Sequence, residues 1–206
     1  MYKKFLARAF AGFLLAFFAA VATPAMAAST GESFVSANVQ KGLDILNNQG
    51  LSADQRRAQF QDFLLSVTDL RRTAVFTLGK YSAAASPQDV DAFAVAFRQY
   101  AIKVYQSFFD RYSGQTLTVT GSTPNRPGDE VVKTMLKDPK AGSAAAQEVD
   151  FRVLSDKGTP AIIDVNVAGI WLSQTQQEQF TSVLAKSGGS FPDLIAHLNT
   201  ITAQYH

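Results

Sequence analysis

Residues 162–180, IIDVNVAGIWLSQTQQEQF, combine a strand pattern and a helix pattern in one short stretch. The strand is predicted by β-branched residues that alternate with polar ones: Ile163, Val165 and Val167. Gly169 ends the alternation, and the apolar residues after it include Trp171, the only tryptophan in the chain. Ser173 and Gln176 have the spacing of a capping box, which marks the start of a helix. The stretch therefore predicts a strand-to-helix corner at which a large apolar side chain is either buried or available to an apolar ligand.

The first 27 residues have the composition of an export signal that is cleaved. A cationic start precedes an uncharged apolar run, and small residues up to Ala27 form a cleavage site. A membrane anchor is the alternative, but the run is shorter than the roughly 20 residues of a spanning helix, and Pro24 closes it. We therefore expect residues 1–27 to be removed and residues 28–206 to form a single exported domain.

Charge and cysteine content exclude several classes of protein. The leader contains three of the 19 Lys and Arg residues, so its removal leaves 16, against 17 Asp and Glu. The mature chain is close to neutral, which gives no electrostatic support for nucleic-acid binding. Because the chain has no cysteine, neither a disulfide framework nor a lipid anchor on cysteine is available. An apolar core must hold the domain together.

Hydrophobic periodicity predicts an α+β domain in which helices flank a sheet. The predicted elements are helices at 35–46, 53–67, 70–78 and 87–112, strands at 116–120, 131–136, 149–154 and 162–167, and helices at 174–186 and 191–203. Ser52, Ser86 and Ser190 precede three of these helices as N-cap residues. The gaps between the four strands are too short for helical crossovers, so a curved antiparallel meander is expected.

The helix predicted at 87–112 is unusually rich in aromatic residues. One stripe follows steps of four, three, four and four residues: Phe93, Phe97, Tyr100, Val104 and Phe108. Tyr105, Phe109 and Tyr112 add a second flank. The stripe by itself is typical of a core helix that packs against the sheet. Aromatic residues on two flanks are also suited to lining an apolar cavity, the usual form of a lipid-like binding site.

Nothing in the sequence indicates catalysis, a metal site or a cofactor. The chain has no cysteine nucleophile and only two histidines, of which His206 is the last residue. His197 lies beside the apolar stripe of its helix, where a structural role is the simpler interpretation. Metal-ligand spacings and a glycine-rich phosphate loop are both absent from the sequence.

Residues 69–72, Asp-Leu-Arg-Arg, form the densest charged motif. The simpler interpretation is a helix start, with Asp69 as N-cap and two solvated arginines. The functional alternative places Arg71 or Arg72 near an anionic head group or a partner protein.

Three segments, residues 63–81, 86–114 and 164–184, together resemble the MlaC family, also called the toluene-tolerance or ABC-transporter auxiliary family. The matching positions are Asp69, Leu78-Gly79, Phe93, Phe97, Tyr105, Tyr112-Ser113-Gly114, Asp164-Val165, Val167, Gly169 and Phe180. The resemblance implies a periplasmic carrier that holds phospholipid acyl chains and passes lipid between an outer-membrane lipoprotein complex and an inner-membrane ABC transporter. Such a carrier has no nucleic-acid partner and contacts membranes only transiently.

Trp171 stands where the family commonly has serine, and in this respect the chain is more similar to the hopanoid-associated branch called HpnM. The expected ligand is therefore a phospholipid or a hopanoid. Two further alternatives are an accessory factor or enzyme of hopanoid synthesis or modification, acting through Asp164 or His197, and a structural adaptor with a filled core.

The lipid carrier is the function we expect, with an apolar cavity enclosed between helices and sheet. Its predicted lining combines the aromatic helix with the strands: Phe93, Phe97, Tyr100, Val104, Tyr105, Phe108, Val119, Phe151, Val153, Ile163, Val165, Val167 and Trp171. The corner at Trp171 is expected to be a cavity wall or entrance.

Overall fold

The computed structural model describes residues 28–140 and 146–205, without the side chains of Phe108 and Asp110. The predicted leader, residues 1–27, lies outside the described residues. The described elements are α1 (Thr30–Asn47), α2 (Ala53–Val67), α3 (Leu70–Thr77), a 3-10 helix (Gly79–Ala83), α4 (Pro87–Arg111), β1 (Thr116–Arg126), β2 (Asp129–Lys137), β3 (Ala146–Leu154), β4 (Ala161–Val167), β5 (Ile170–Trp171), α5 (Leu172–Lys186) and α6 (Phe191–Thr202).

Serine caps start most of these helices, as the sequence predicts. The Ser52 hydroxyl accepts a hydrogen bond from the backbone N–H of Gln55, whose side chain accepts in return from Ser52 N–H. The hydroxyls of Ser86 and Ser190 accept from the N–H three residues further on. Each bond satisfies one of the backbone donors that a helix leaves unpaired at its start. The three predicted caps are confirmed.

The strands form one antiparallel sheet in the order β1-β2-β3-β4-β5, which confirms the α+β class and the meander. Register shifts in β1 after Val119 and in β3 after Arg152 are the irregularities by which β-bulges bend and twist a sheet. The sequence predicts four strands; the fifth, β5, has only two residues.

A tight turn accounts for β5. Ala168 and Gly169 have φ of 52° and 87°, the left-handed backbone that two-residue hairpin turns require. Asn166 stabilises the turn, since its side-chain oxygen accepts from the Gly169 N–H at 2.9 Å. The turn brings Trp171 opposite Asn166 in the ladder. What the sequence shows as an interrupted strand is therefore a hairpin, and Gly169 is needed for its geometry.

An aromatic cluster between helices forms the larger core. Phe180 of α5 is fully buried, and its ring meets those of Phe93, Phe97 and Tyr100 edge-on, with centroids 5.7, 6.3 and 6.4 Å apart. Leu194 and Leu198 of α6 complete the same cluster. The expectation that the whole α4 stripe faces the sheet is therefore wrong, because its N-terminal half faces α5 and α6.

A second, smaller core lies between α1 and the sheet. Val35 of α1 is buried with Val132 of β2 and Val153 of β3, and partly buried residues surround them: Phe34, Val39, Val119, Phe151 and Ile162. The α2–α3 corner and α3 are fixed to β4 by hydrogen bonds to backbone carbonyls. The Asp69 N–H donates to the Ile162 carbonyl at 3.0 Å, and the Thr73 hydroxyl donates to the Ile163 carbonyl at 2.7 Å. Strand β4 thus lies where both cores meet.

Replacing Phe180 with alanine is expected to lower the free energy of unfolding by about 3–5 kcal/mol, because it removes the ring that three aromatic neighbours share. Urea denaturation measures this loss. Val95→Ala is the matched control, since Val95 is 64% exposed, and a change within about 0.5 kcal/mol is expected there. Equal stability of the two variants would contradict the assigned core.

Candidate functional site

Two apolar cavities lie on either side of Ile162. The inner cavity, about 60 Å³, is lined by Thr68, Leu70, Thr73, Phe97, Tyr100, Ala101, Val104, Tyr105, Ile162, Ile163, Asp164, Val165, Leu172, Ser173 and Gln176. The outer cavity, about 190 Å³, is lined by Val35, Asn38, Val39, Gly42, Leu43, Leu46, Phe60, Phe63, Leu64, Val67, Leu117, Phe151 and Ile162. Ile162 belongs to both linings, so the two cavities adjoin at this residue of β4.

The inner cavity brings together residues from both halves of the predicted lining. Six of them line it: Phe97, Tyr100, Val104, Tyr105, Ile163 and Val165. The C-terminal part of the α4 stripe thus faces β4, as the sequence suggests, while Phe93 lies in the helical core. Among the strand candidates, Phe151 lines the outer cavity, whereas Val119 and Val153 belong to the core under α1.

Neither cavity includes Val167 or Trp171. Trp171 is partly buried and serves as the N-cap residue of α5, without a side-chain capping bond. Phe108 lies in α4, and its side chain is outside the described part of the chain. Contact with lipid stays a prediction for all the residues of the predicted lining, including those that line a cavity.

The outer cavity is the feature that sequence reasoning missed. Its walls are α1 and α2, whose apolar stripes are plain in the sequence but indicate only that each helix has a buried face. Gly42 allows the two helices to approach, since a Cβ there would lie 3.1 Å from the Phe63 ring. The apolar faces of α1 and α2 leave a gap above β1 and β3 because of how the two helices are placed. Hydrophobic periodicity does not specify that placement.

Asp164 supplies the main polar group of the inner cavity. Its Oδ1 accepts from the N–H of Ser173 at 3.1 Å and of Val165 at 2.9 Å, and its Oδ2 accepts from the Ser173 hydroxyl. The capping box predicted at Ser173 and Gln176 is therefore wrong. Ser173 lies inside the first turn of α5, and the carboxylate on β4 pairs with the N–H that a cap would otherwise satisfy.

Burial controls the ionisation of the acidic groups that line this cavity. It raises the pKa of Asp164 above the ordinary 3.8, against the hydrogen bonds from Ser173, which lower it. Burial, and to a lesser extent the charge of Asp164, raises the pKa of Tyr105 to about 12. Burial and Tyr205 likewise raise the pKa of Tyr100 to about 12. The two phenols are therefore neutral hydrogen-bonding groups on an otherwise apolar wall.

Other kinds of site find no support in the described residues. Within residues 28–140 and 146–205, no cluster of three or more histidine or acidic side chains could hold a metal ion. His197 is exposed on α6. No helix in the same part of the chain has the length and hydropathy needed to cross a bilayer.

Comparison with known proteins identifies a matching family and solved structures of similar fold. The sequence model described as MlaC protein matches residues 36–200. Among solved structures, the chain is similar to the phospholipid-binding protein from Ralstonia solanacearum, which was solved in complex with a phospholipid. The sequences are 22% identical, the TM-score is 0.73, and the match covers 86% of this chain and 99% of that chain. The two chains share a fold over nearly the whole of the described domain.

The raised pKa of Asp164 gives a pH dependence with a definite sign. A group whose pKa is higher in the folded state contributes stability below its unfolded pKa and loses it as the pH rises through the folded value. Asp164→Asn keeps one oxygen for both N–H donors and cannot ionise. From about pH 4 to pH 7, the wild type should therefore lose stability relative to this variant, as measured by urea denaturation.

Asp164→Ala is the second arm of that experiment. This variant leaves the Ser173 N–H unpaired in a buried position, so its free energy of unfolding is expected to fall by about 1–3 kcal/mol. Parallel stability curves for the wild type and Asp164→Asn across this pH range would contradict the assigned burial.

Proposed function

Because this chain belongs to the MlaC family, we propose that it is a periplasmic carrier that binds phospholipid and does not transform it. The observation that supports this most directly is the pair of apolar cavities that meet at Ile162. In the proposed complex, acyl chains occupy these cavities. Each buried methylene contributes about 0.8 kcal/mol, so part of one chain is enough for appreciable affinity.

The size of the cavities has a consequence for loading. Both, at about 60 and 190 Å³, are smaller than the roughly 300–1,000 Å³ of common ligand pockets. An acyl chain must therefore push side chains apart as it enters. The outer cavity is better suited to this, because α1 and α2 line it with flexible side chains such as Leu43, Leu46 and Leu64. The inner cavity is constrained by the bonds between α3, β4 and α5.

The family supports a role in transport between membranes. We propose that the mature chain moves lipid between an outer-membrane lipoprotein complex and an inner-membrane ABC transporter, after export by the predicted leader. A soluble carrier of this kind shields acyl chains from water during transit, which is the physical requirement for moving lipid across an aqueous space.

Phospholipid is a better-supported ligand than hopanoid. Trp171, the residue that resembles the hopanoid-associated branch, is not among the lining residues of either cavity. The similar structure from Ralstonia solanacearum is a phospholipid complex. The enzymatic alternative also lacks support, because both Asp164 oxygens already accept hydrogen bonds that hold α5.

Filling the outer cavity should prevent loading. Val39→Trp places an indole in the space proposed for an acyl chain, so lipid occupancy should fall several-fold after incubation with phospholipid vesicles. Native mass spectrometry counts protein with and without bound lipid. Leu43→Trp, on the same wall, provides an independent second variant.

Ile170→Trp is the control, because Ile170 is 61% exposed and lines neither cavity. It should load as the wild type does. Circular dichroism checks that each variant is folded. Full occupancy in both folded cavity variants would exclude the outer cavity as the chain site, and a wild type that never binds lipid would exclude the carrier function.

A further inference from the structure

A charged groove adjoins the inner cavity. It lies between the α2–α3 corner and α4, has a volume of about 540 Å³, and contains Arg71, Asp91 and Arg98. Thr68 and Leu70 line both the groove and the inner cavity. Since Ile162 in turn lines both the inner and the outer cavity, the charged groove and the two apolar cavities are linked by shared lining residues.

The charges in the groove are only partly paired. Arg71 and Asp91 form an ion pair at 2.6 Å, with side chains 60% and 64% exposed, and a pair so exposed contributes little. Arg98 is exposed and has no ion pair with the described side chains. Asp69 is already engaged, because its carboxylate accepts from the Arg72 N–H as the cap of α3.

Arg72, the other arginine of the motif at residues 69–72, points elsewhere. It donates to both carboxylate oxygens of Asp156, at 2.9 and 2.7 Å. This bidentate contact satisfies the geometry that a guanidinium prefers. The two arginines therefore have different roles: Arg72 joins α3 to the loop after β3, and Arg71 lines the groove.

We infer that this groove binds the phosphate of the lipid head group, with Arg98 and Arg71 as its donors. The inference rests on the proposed function and deepens it, because it assigns the polar end of the ligand. A guanidinium matches phosphate geometry with paired N–H donors. Phosphate replaces Asp91 as the partner of Arg71 at little cost, since the existing pair is open to water. The ligand class is then a phosphate-bearing lipid, which a hopanoid hydrocarbon is not.

A competition between two lipids with identical chains tests the head-group contact. Lipid-free protein is equilibrated with equal amounts of dioleoylphosphatidylglycerol and dioleoylglycerol, which lacks the phosphate, and native mass spectrometry gives the ratio bound. The wild type should prefer the phospholipid. Arg98→Gln and, separately, Arg71→Gln should each reduce that ratio about tenfold, as expected when one charged contact is lost. Dioleoylglycerol binding should persist, because the cavities are unchanged.

Lys186→Gln is the matched control, since Lys186 is an exposed cation in the last turn of α5. It should keep the wild-type ratio. A wild-type ratio in both arginine variants would overturn the head-group site and leave the carrier function standing. Failure of the wild type to bind either lipid would overturn both.

Inorganic phosphate distinguishes a lipid head group from a free anion. Added at millimolar concentration, it should leave the wild-type ratio unchanged, because the phosphate of the lipid is tethered to its buried chains. Loss of the preference on addition of phosphate would show that the groove is a site for the free anion, and would overturn the assignment.

Discussion

The contact between the Asp164 carboxylate and the first turn of α5 is the constraint on which the rest of this fold depends. The two groups are nine residues apart in sequence, and the tight turn at Ala168 and Gly169 brings them together. A buried carboxylate satisfies the unpaired N–H of the helix and interacts favourably with the positive end of its dipole. This fixes the direction of α5, and with it the position of Phe180, around which the aromatic core is built.

A second carboxylate on the sheet has the same role for α1. Glu130 of β2 accepts from the Ser29 hydroxyl and from the Gly31 N–H at 2.6 Å, so it holds the start of α1. Each carboxylate thus attaches a helix to the sheet at one end only. The outer cavity lies between α1, α2 and the sheet and is lined by apolar residues of all three. Firm attachment combined with apolar side-chain walls would suit the proposed lipid site, which has to widen to accept a long apolar chain.

Capping shows how far local sequence determines structure. The caps at Ser52, Ser86 and Ser190 could be predicted because donor and acceptor are three residues apart and meet whenever the helix forms. Ser173 has the same spacing to Gln176, yet both its backbone N–H and its hydroxyl donate to the Asp164 carboxylate. The carboxylate is the stronger acceptor, and only the hairpin between β4 and α5 brings it within reach. A local pattern was overridden by a tertiary partner that the pattern does not contain.

The sequence by itself determined the order of the elements, the antiparallel meander and the family, because these depend on periodicity, short connections and ordered motifs. It also pointed to residues that line the inner cavity, such as Tyr105 on α4 and Ile163 on β4, while their contact with lipid stays a prediction. Only the tertiary structure decided that the N-terminal half of the α4 stripe fills a core, that α1 and α2 leave a second cavity, and that Arg71 lines a groove while Arg72 pairs with Asp156. The physical reason is that an apolar stripe requires burial but does not specify a partner. Whether buried faces close on each other or leave a space between them depends on how the helices are placed.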